Sequence, residues 1–321
     1  MANKIDVHHH TIPSFYRDIG KAAGWGDDTV PVWDTADSIA GMKRLGIETT
    51  ILSIGGPGTE ITSSQSDKRD LARNINNYVR DIRLSNPGLF GQFGALPSLI
   101  DTEGTIAEIR YCLDELQCDG VCIYSSYSGK YLGHKDFIPI WAELDARSAV
   151  VFVHPITADN YSMASPLLMP PMIDFPHEST RAAADLITSG RKRQYPNCNV
   201  ILSHAGGNLP FMASRLMALA TYLYGDLIPE GSPRGEEIID DAKSFYVDTA
   251  LAGTPNILDT LLNWADPQRI LYGSDTPYCD QEADLNTESL NEYPMEENLR
   301  HKIFSENALR LFKNLRAKSE K

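Results

Sequence analysis

Short apolar segments rich in β-branched residues alternate with helix-length amphipathic segments along the whole chain. Eight such strand–helix units within 321 residues predict a (β/α)8 TIM barrel, an α/β fold in which parallel strands form the inner wall and helices surround it. Because barrels of about 250 residues or more fold as one unit, we expect a single domain over residues 1–321. The predicted strands are Lys4–His10, Glu48–Ile54, Phe90–Leu96, Gly120–Ser125, Ala149–His154, Asn199–His204, Phe245–Thr249 and Arg269–Ser274.

The predicted helices follow the strands, in segments where apolar residues recur at the spacing of one helix face. The competing fold is an open, doubly wound parallel sheet. Its nucleotide-binding version is weakened because no G-x-G-x-x-G follows the first strand and no Walker A motif occurs. The predicted helices lie near Thr35–Leu45, Lys68–Ser85, Thr102–Leu116, Lys135–Arg147, Glu178–Ser189, Pro210–Leu223, Pro255–Trp264 and Met295–Leu315.

Three connections are longer than a strand–helix turn requires. Thr11–Trp33 is rich in aromatic residues and Pro155–His177 in proline and methionine, so we expect both to cover the C-terminal mouth of the barrel or to contact another subunit. The alternative is that they simply plug the ends of the barrel. Pro277–Pro294 is acidic and has no basic residue, which predicts a solvated surface segment.

Charge and composition narrow the possible partners and compartments. The chain has 29 Lys and Arg against 43 Asp and Glu, a net charge of −14, which disfavours a nucleic-acid-binding protein. No strictly apolar run exceeds the length of Ala149–Val153, so we expect no membrane span. The N-terminus carries no apolar segment typical of a signal peptide. The five cysteines are odd in number and include no C-x-x-C pair, so we expect a reducing, cytoplasmic location.

The first predicted strand ends in a His-x-His pair. His8 and His10 are two residues apart, so they point to the same face of the strand, about 6.6 Å from each other along it. Two imidazoles at this separation can converge on one metal ion. His9 points to the opposite face, and we do not expect it to be a ligand.

Three further strands end in side chains that bind metals or transfer protons: His154, His204 and Asp275. Each has a structural alternative when taken alone, but a barrel brings all of these ends to its C-terminal mouth, where active sites lie. Three imidazoles and one carboxylate suit a divalent ion such as Zn²⁺ with an open position. We therefore predict His8, His10, His154 and Asp275 as metal ligands. His204 is left beside the metal for general acid–base catalysis.

These motifs resemble those of the metal-dependent amidohydrolase superfamily, in the branch that contains aminocarboxymuconate-semialdehyde decarboxylase and the non-oxidative salicylate-type decarboxylases. The resemblance extends from Ile5 to about Phe312, and the stretch Asp174–Glu178 is most similar to 6-methylsalicylate decarboxylases. The motifs that carry it are Ile5–His10 with Ile12-Pro13, Val153-His154-Pro155, Ser203–Gly207 with Pro210-Phe211, and Tyr272–Asp275 with Pro277.

The resemblance implies the same metal ligands and the same catalytic His204, and it adds a substrate-binding residue. Arg215 matches an arginine that binds the substrate carboxylate, in some relatives across a dimer interface, so a homodimer is expected. Where the muconate enzymes have a second such arginine, residues 29–34 contain no base, which favours a monocarboxylate. The fourth strand, Gly120–Tyr124, lacks the lysine of two-metal relatives. One ion is therefore expected, Zn²⁺ before Mn²⁺.

The activity implied by the resemblance is that of a carboxy-lyase acting on a small 2-hydroxybenzoate, with 6-methylsalicylate converted to 3-methylphenol. The substrate would chelate the metal, and either His204 or Asp275 would protonate the carboxyl-bearing ring carbon before CO₂ leaves. Asp275 is therefore expected to have two roles, as a metal ligand and as a candidate catalytic residue. Two alternatives remain open: a metal-dependent hydrolase of a lactone or an amide, and a non-catalytic barrel with a structural metal.

Overall fold

Eight parallel strands form the inner wall of the computed structural model, which describes residues 3–26, 30–158, 165 and 167–315. Each strand pairs in parallel with its neighbours in chain order. The predicted (β/α)8 barrel is thereby confirmed. The strands are β1 (Lys4–Thr11), β2 (Ile47–Ile54), β3 (Phe90–Ala95), β4 (Gly120–Tyr124), β5 (Val150–His154), β6 (Asn199–Leu202), β7 (Tyr246–Asp248) and β8 (Ile270–Leu271).

The barrel closes where β1 meets β8 and the residues that follow it. The amide of Val7 donates to the carbonyl of Tyr272 at 3.0 Å, and the amide of His10 donates to the carbonyl of Thr276 at 2.7 Å. All eight residues of β1 are buried, as expected of a strand with side chains in the barrel on one face and helices packed on the other. β1 and the segment after β8 are therefore held in a fixed register.

The surrounding helices mostly follow the predicted pattern, with some segments divided by short π-helical turns. The ends of α2 are capped: the side chain of Asp34 accepts a hydrogen bond from the amide of Asp37, and Gly46 ends the helix with a φ of 69°. The helices are α1 (Ser14–Ala22), α2 (Thr35–Leu45), α3 (Gln65–Ser85), α4 (Thr102–Arg110), α5 (Ile138–Ala146), α6 (Pro170–Thr188), α7 (Arg191–Gln194), α8 (Leu209–Ala218), α9 (Glu236–Lys243), α10 (Pro255–Trp264), α11 (Asp280–Glu292), α12 (Glu297–His301) and α13 (Asn307–Leu311).

The long connections contain more helix than the sequence suggested. α1 lies within the first connection, α6 begins at Pro170 within the second, and α9 was not predicted. The acidic third connection is largely the helix α11, because Ala283, Thr287 and Leu290 are spaced to bury one face while its acids stay on the other. Residues 27–29, 159–164 and 166, which belong to the first two connections, lie outside the described part of the chain.

Within the described ranges, every helix is too short or too polar to cross a membrane. The five cysteines are free thiols, and four of them are buried.

We predict that Asp101 stabilises the fold by capping α4 and joining it to α3. Its carboxylate accepts from the amide of Gly104 at 3.1 Å and from two nitrogens of Arg69 at 2.5 and 2.7 Å. The hydrogen bonds from Arg69, opposed by burial, hold the pKa of this carboxyl below its usual value. Asp101→Ala should therefore lower the free energy of unfolding at pH 7 by about 1 kcal/mol, measured by urea denaturation.

The sign of the pH dependence follows from the lowered pKa. The stabilisation is fully present above the unfolded pKa of about 4 and is lost as pH falls through the lower folded value. The difference between wild type and variant should shrink at the lowest pH at which both remain folded. Asp114→Ala, which removes a partner from an exposed ion pair with Arg147, is the matched control and should have a smaller effect at pH 7. Equal effects of the two variants would contradict the capping role.

Candidate active site

Four side chains from the carboxyl ends of β1, β5 and β8 converge at the mouth of the barrel. The Nε2 atoms of His8 and His10 lie 3.2 Å apart, and Oδ1 of Asp275 lies 3.2 Å from the first and 3.1 Å from the second. Together with a ring nitrogen of His154, these ligand atoms all lie within 4.8 Å of one another. All four residues are buried. The structure therefore brings together the four residues that the sequence predicts as metal ligands.

The second nitrogen of each imidazole already has a partner in the protein. In each ring it is Nδ1 that meets the partner, so Nε2 is left facing the centre of the cluster. The three Nδ1 contacts are His8 to Oδ2 of Asp248 (2.9 Å), His10 to Oγ of Ser53 (3.3 Å) and His154 to the carbonyl of Pro155 (2.8 Å). This donor set, three oriented imidazoles and one carboxylate, fits a divalent cation.

The electrostatics of the cluster favour a bound positive charge. Burial lowers the pKa of His10 and, to a greater extent, that of His154. Burial acts in the same direction on His8, but the carboxylates of Asp248 and Asp275 outweigh it and raise the pKa of this imidazole to about 10. Burial also opposes ionisation of Asp275, yet the facing imidazoles, His8 foremost, hold the pKa of its carboxyl well below the usual range. A divalent ion would neutralise these carboxylates in place of a proton.

A further imidazole stands beside this cluster, at the end of β6. Nε2 of His204 lies 3.3 Å from Oδ2 of Asp275, whose other oxygen faces the metal-binding imidazoles. His204, Ala205 and Asp275 have φ values of 55°, 58° and 64°. Such left-handed backbone in non-glycine residues costs about 1–3 kcal/mol at each position and is typical of functional sites. The predicted acid–base residue is thus held against the carboxylate that joins it to the metal centre.

A cavity of about 830 Å³ opens directly over these side chains. Four of the site residues form part of its floor: His10, His154, His204 and Asp275. Its walls are mainly aromatic and aliphatic, and among the described residues that line it there is no lysine or arginine. Among the wall residues are Met172 and Phe175 of α6, Phe211 of α8, Leu251, Ile257 of α10 and Tyr278. The cavity therefore suits a flat, largely apolar molecule with a polar group directed at the metal centre.

Comparison with known proteins agrees with this geometry, since the family model described as Amidohydrolase matches residues 5–313. The chain belongs to the amidohydrolase family. It is 40% identical to the 6-methylsalicylic acid decarboxylase of Aspergillus aculeatus and 38% identical to that of Penicillium expansum, in both cases over 98% of this chain and 97% of the relative. A solved dihydroxybenzoic acid decarboxylase from a Polaromonas species, with bound manganese and 2-nitroresorcinol, is 25% identical with a TM-score of 0.83 over 99% of each chain.

Two residues of this amidohydrolase site were not found from the sequence. Tyr278 lines the cavity with its ring 5.3 Å from that of His10, and its buried hydroxyl has no hydrogen-bond partner among the described residues. Asp248, at the end of β7, is fully buried against His8. The available signals were a tyrosine three positions after Asp275 and a single acid in the predicted strand Phe245–Thr249.

Arg215, the predicted substrate-binding residue, does not line the cavity of its own chain. It lies on α8, four residues after Phe211, and is exposed to solvent. The structure therefore does not bring Arg215 together with the other predicted site residues within one chain.

We predict that this amidohydrolase stays folded when its metal is removed. The ligands are held by the closed barrel and by the hydrogen bonds of their Nδ1 atoms, so chelation should leave the circular dichroism spectrum unchanged and lower the melting temperature only moderately. Adding Zn²⁺ back should restore the melting temperature. Unfolding on chelation would instead indicate a structural metal.

Proposed function

We propose that this protein catalyses the non-oxidative decarboxylation of a small 2-hydroxybenzoate, with 6-methylsalicylate converted to 3-methylphenol. The observation that carries the proposal is the cluster of three imidazoles and Asp275, with His204 beside it, at the floor of an apolar cavity. The substrate is suggested by the two relatives at 40% and 38% identity that are named 6-methylsalicylic acid decarboxylases.

The chemistry requires a proton at a particular ring carbon. Direct cleavage of the bond between ring and carboxylate would leave an aryl carbanion, whose formation is prohibitively unfavourable. Protonation of the carboxyl-bearing carbon first gives a dearomatised ring. The carbon–carbon bond can then break, CO₂ leaves, and the electron pair of that bond restores the aromatic ring. A bound divalent cation would act as a Lewis acid that stabilises negative charge on the phenolic oxygen.

The proton is supplied by the pair formed by His204 and Asp275. Nε2 of His204 and Oδ2 of Asp275 are 3.3 Å apart, within reach of a shared proton. Both side chains line the cavity, so either one can face the ring carbon of a bound substrate. The assignment of the donor between these two residues is left to experiment.

The cavity walls orient the aromatic ring. Phe175 lies with its ring 6.0 Å from that of His154, and Tyr278 lies on the other side of the cluster against His10. These apolar faces exclude water and favour a flat substrate directed at the metal centre. The hydroxyl of Tyr278, which has no partner among the described residues, is then a donor for the substrate carboxylate.

We propose a single Zn²⁺ as the native metal. Imidazole nitrogens and carboxylate oxygens are ligands that Zn²⁺ binds in proteins, and catalytic zinc can expand to five ligands to accept a substrate. Mn²⁺ is the alternative, since a 25% identical dihydroxybenzoic acid decarboxylase was solved with manganese. Metal analysis of protein purified without added metal distinguishes the two ions.

A homodimer would supply an arginine, a residue type absent from the described lining of the cavity of one chain. Arg215 is exposed on α8, and the same region carries exposed apolar side chains. Phe211 and Tyr222 are each 82% exposed, and Leu227 is 78% exposed. An exposed apolar patch next to a cavity mouth is typical of a protein interface. We further propose a cytoplasmic location, on the basis of the free cysteines.

We predict that the metal-loaded protein releases CO₂ and 3-methylphenol from 6-methylsalicylate. The phenol is measured by chromatography, and the gas by CO₂ detection. His204→Ala should lower kcat by about 10²–10⁴-fold, because an acid–base group is lost. His134→Ala is the matched control, since this partly exposed histidine does not line the cavity, and it should keep full activity. A fully active His204→Ala variant would remove His204 from the mechanism. Turnover of lactones or amides without CO₂ release would favour the hydrolase.

We predict that Tyr278 and Arg215 both bind the substrate carboxylate, from different chains. Tyr278→Phe and Arg215→Ala should each raise KM by about tenfold or more, because each removes a hydrogen bond to a charged group. Mixing Arg215→Ala with His204→Ala subunits tests the dimer directly, because a mixed dimer contains one intact site. Assayed at substrate concentrations well below the wild-type KM, where Arg215→Ala sites contribute little, equal amounts should recover about a quarter of wild-type activity if the subunits assemble as symmetric dimers. No recovery, with a monomer in sedimentation analysis, would contradict the shared site.

A further inference from the structure

Asp248 lies at the carboxyl end of β7, and its two oxygens contact two different parts of the active site. Oδ2 lies 2.9 Å from Nδ1 of His8. Oδ1 accepts hydrogen bonds from the backbone amides of His204 at 2.9 Å and Ala250 at 3.0 Å. The residue is fully buried, so these contacts are not shared with solvent. One carboxylate therefore connects a predicted metal ligand with the predicted acid–base residue.

The contact with His8 sets which ring nitrogen is available to a metal. A carboxylate can only accept, so Nδ1 of His8 carries the hydrogen and Nε2 is left as the ligand atom. The other two imidazoles have uncharged partners, the hydroxyl of Ser53 and the carbonyl of Pro155. Of these three hydrogen-bond partners, Asp248 is the charged one, and it increases the basicity of the His8 imidazole that it orients.

The contact with the amide of His204 holds a strained turn. His204 and Ala205 have left-handed φ values of 55° and 58°, and non-glycine residues persist in this region only where other interactions hold them. A hydrogen bond from an amide to a buried carboxylate is charge-assisted and strong. With the turn in this conformation, Nε2 of His204 lies 3.3 Å from Oδ2 of Asp275.

We propose that Asp248 is a positioning residue that couples the metal centre to the acid–base residue, by orienting the ring of His8 and holding the backbone of His204 at the same time. It does not line the cavity, so it acts through these two histidines and not on the substrate. This inference rests on the proposed function in one respect, namely that His204 acts as the acid–base residue of the decarboxylation.

Two variants separate the two contacts. Asp248→Asn keeps an oxygen for the amide of His204 but presents an NH₂ group to Nδ1 of His8, which forces the hydrogen of this ring onto Nε2. The dissociation constant for Zn²⁺, measured by competition with a chelator, should rise by about 10–100-fold. Asp248→Ala removes both contacts. In its zinc-soaked crystal structure, Nε2 of His204 should no longer lie within hydrogen-bond distance of Asp275.

Asp6→Asn is the matched control for replacing a buried carboxylate with an amide. Asp6 is also fully buried, and it accepts from the amides of His8 and Ser274, both at 3.0 Å. It does not contact a ring nitrogen of a predicted ligand. Asp6→Asn should therefore lower the melting temperature but leave the Zn²⁺ affinity near that of wild type.

The results that overturn the proposal are specific to each contact. The role at His8 is contradicted if Asp248→Asn binds Zn²⁺ as tightly as wild type, or if Asp6→Asn loses as much Zn²⁺ affinity as Asp248→Asn does. The role at His204 is contradicted if the 204–205 turn is unchanged when the side chain of Asp248 is removed. If Asp248→Ala does not fold, Asp248→Ser replaces it for the last comparison. Neither readout uses turnover. A wild-type protein that binds Zn²⁺ but does not decarboxylate 6-methylsalicylate would overturn the proposed function and leave this test intact.

Discussion

The site depends on the hydrogen bonds that close the barrel between β1 and the segment after β8. The amide of Asp275 donates to the carbonyl of His8 at 2.8 Å, and the amide of His10 donates to the carbonyl of Thr276 at 2.7 Å. The same bonds that remove the open edges of the sheet therefore fix the separation between the His-x-His pair and the carboxylate. In a barrel that did not close, these ligands would belong to two distant ends of the chain.

Buried negative charge is the main cost of this arrangement, and the protein offsets it locally. Asp6, Asp248 and Asp275 are all buried, and a buried carboxylate is tolerated only when donors surround it. Asp6 is surrounded by two backbone amides and the hydroxyl of Ser274, which donates at 2.6 Å. The ring of His9, the middle histidine of the run, also contacts Asp6 through Nδ1 and Ser38 through Nε2, so both of its nitrogens have partners outside the His8–His10 cluster. Asp248 faces Nδ1 of His8 and two backbone amides, whereas Asp275 faces the ligand atoms of the imidazole cluster, where a cation would bind.

With a net charge of −14, the protein would need local means to bind the anionic substrate that we propose. The cavity of one chain provides these means only in part, because its described lining contains no basic side chain beyond the imidazoles. A metal ion and the hydroxyl of Tyr278 are local means of binding a carboxylate, and both are compatible with an acidic surface. Arg215 is exposed near apolar side chains of the same region, which agrees with a second copy completing the site.

Much of the fold and the metal centre could be predicted from the sequence, because both depend on local patterns. Alternation of apolar strands and amphipathic helices indicated the barrel, and the two-residue spacing of His8 and His10 put both on one strand face. Strand ends share one mouth in any such barrel, so His154 and Asp275 could be added without knowing the register. The helix α11 was not predicted, because its buried face combines two apolar side chains, Ala283 and Leu290, with the polar Asn286 and Thr287.

Only the tertiary structure determined the contacts between residues that are far apart in the chain. His8 and Asp248 are 240 residues apart in the sequence, yet their side chains are 2.9 Å apart in the structure. The sequence could not predict this contact, because it depends on the register of β1 and β7 around the closed barrel. The outward placement of Arg215 likewise follows from packing of the connections and helices, as does the burial of the Tyr278 hydroxyl without a partner among the described residues. The chemical groups at the strand ends were therefore determined by sequence alone, whereas their partners were determined by barrel closure, which sets the distances between strands.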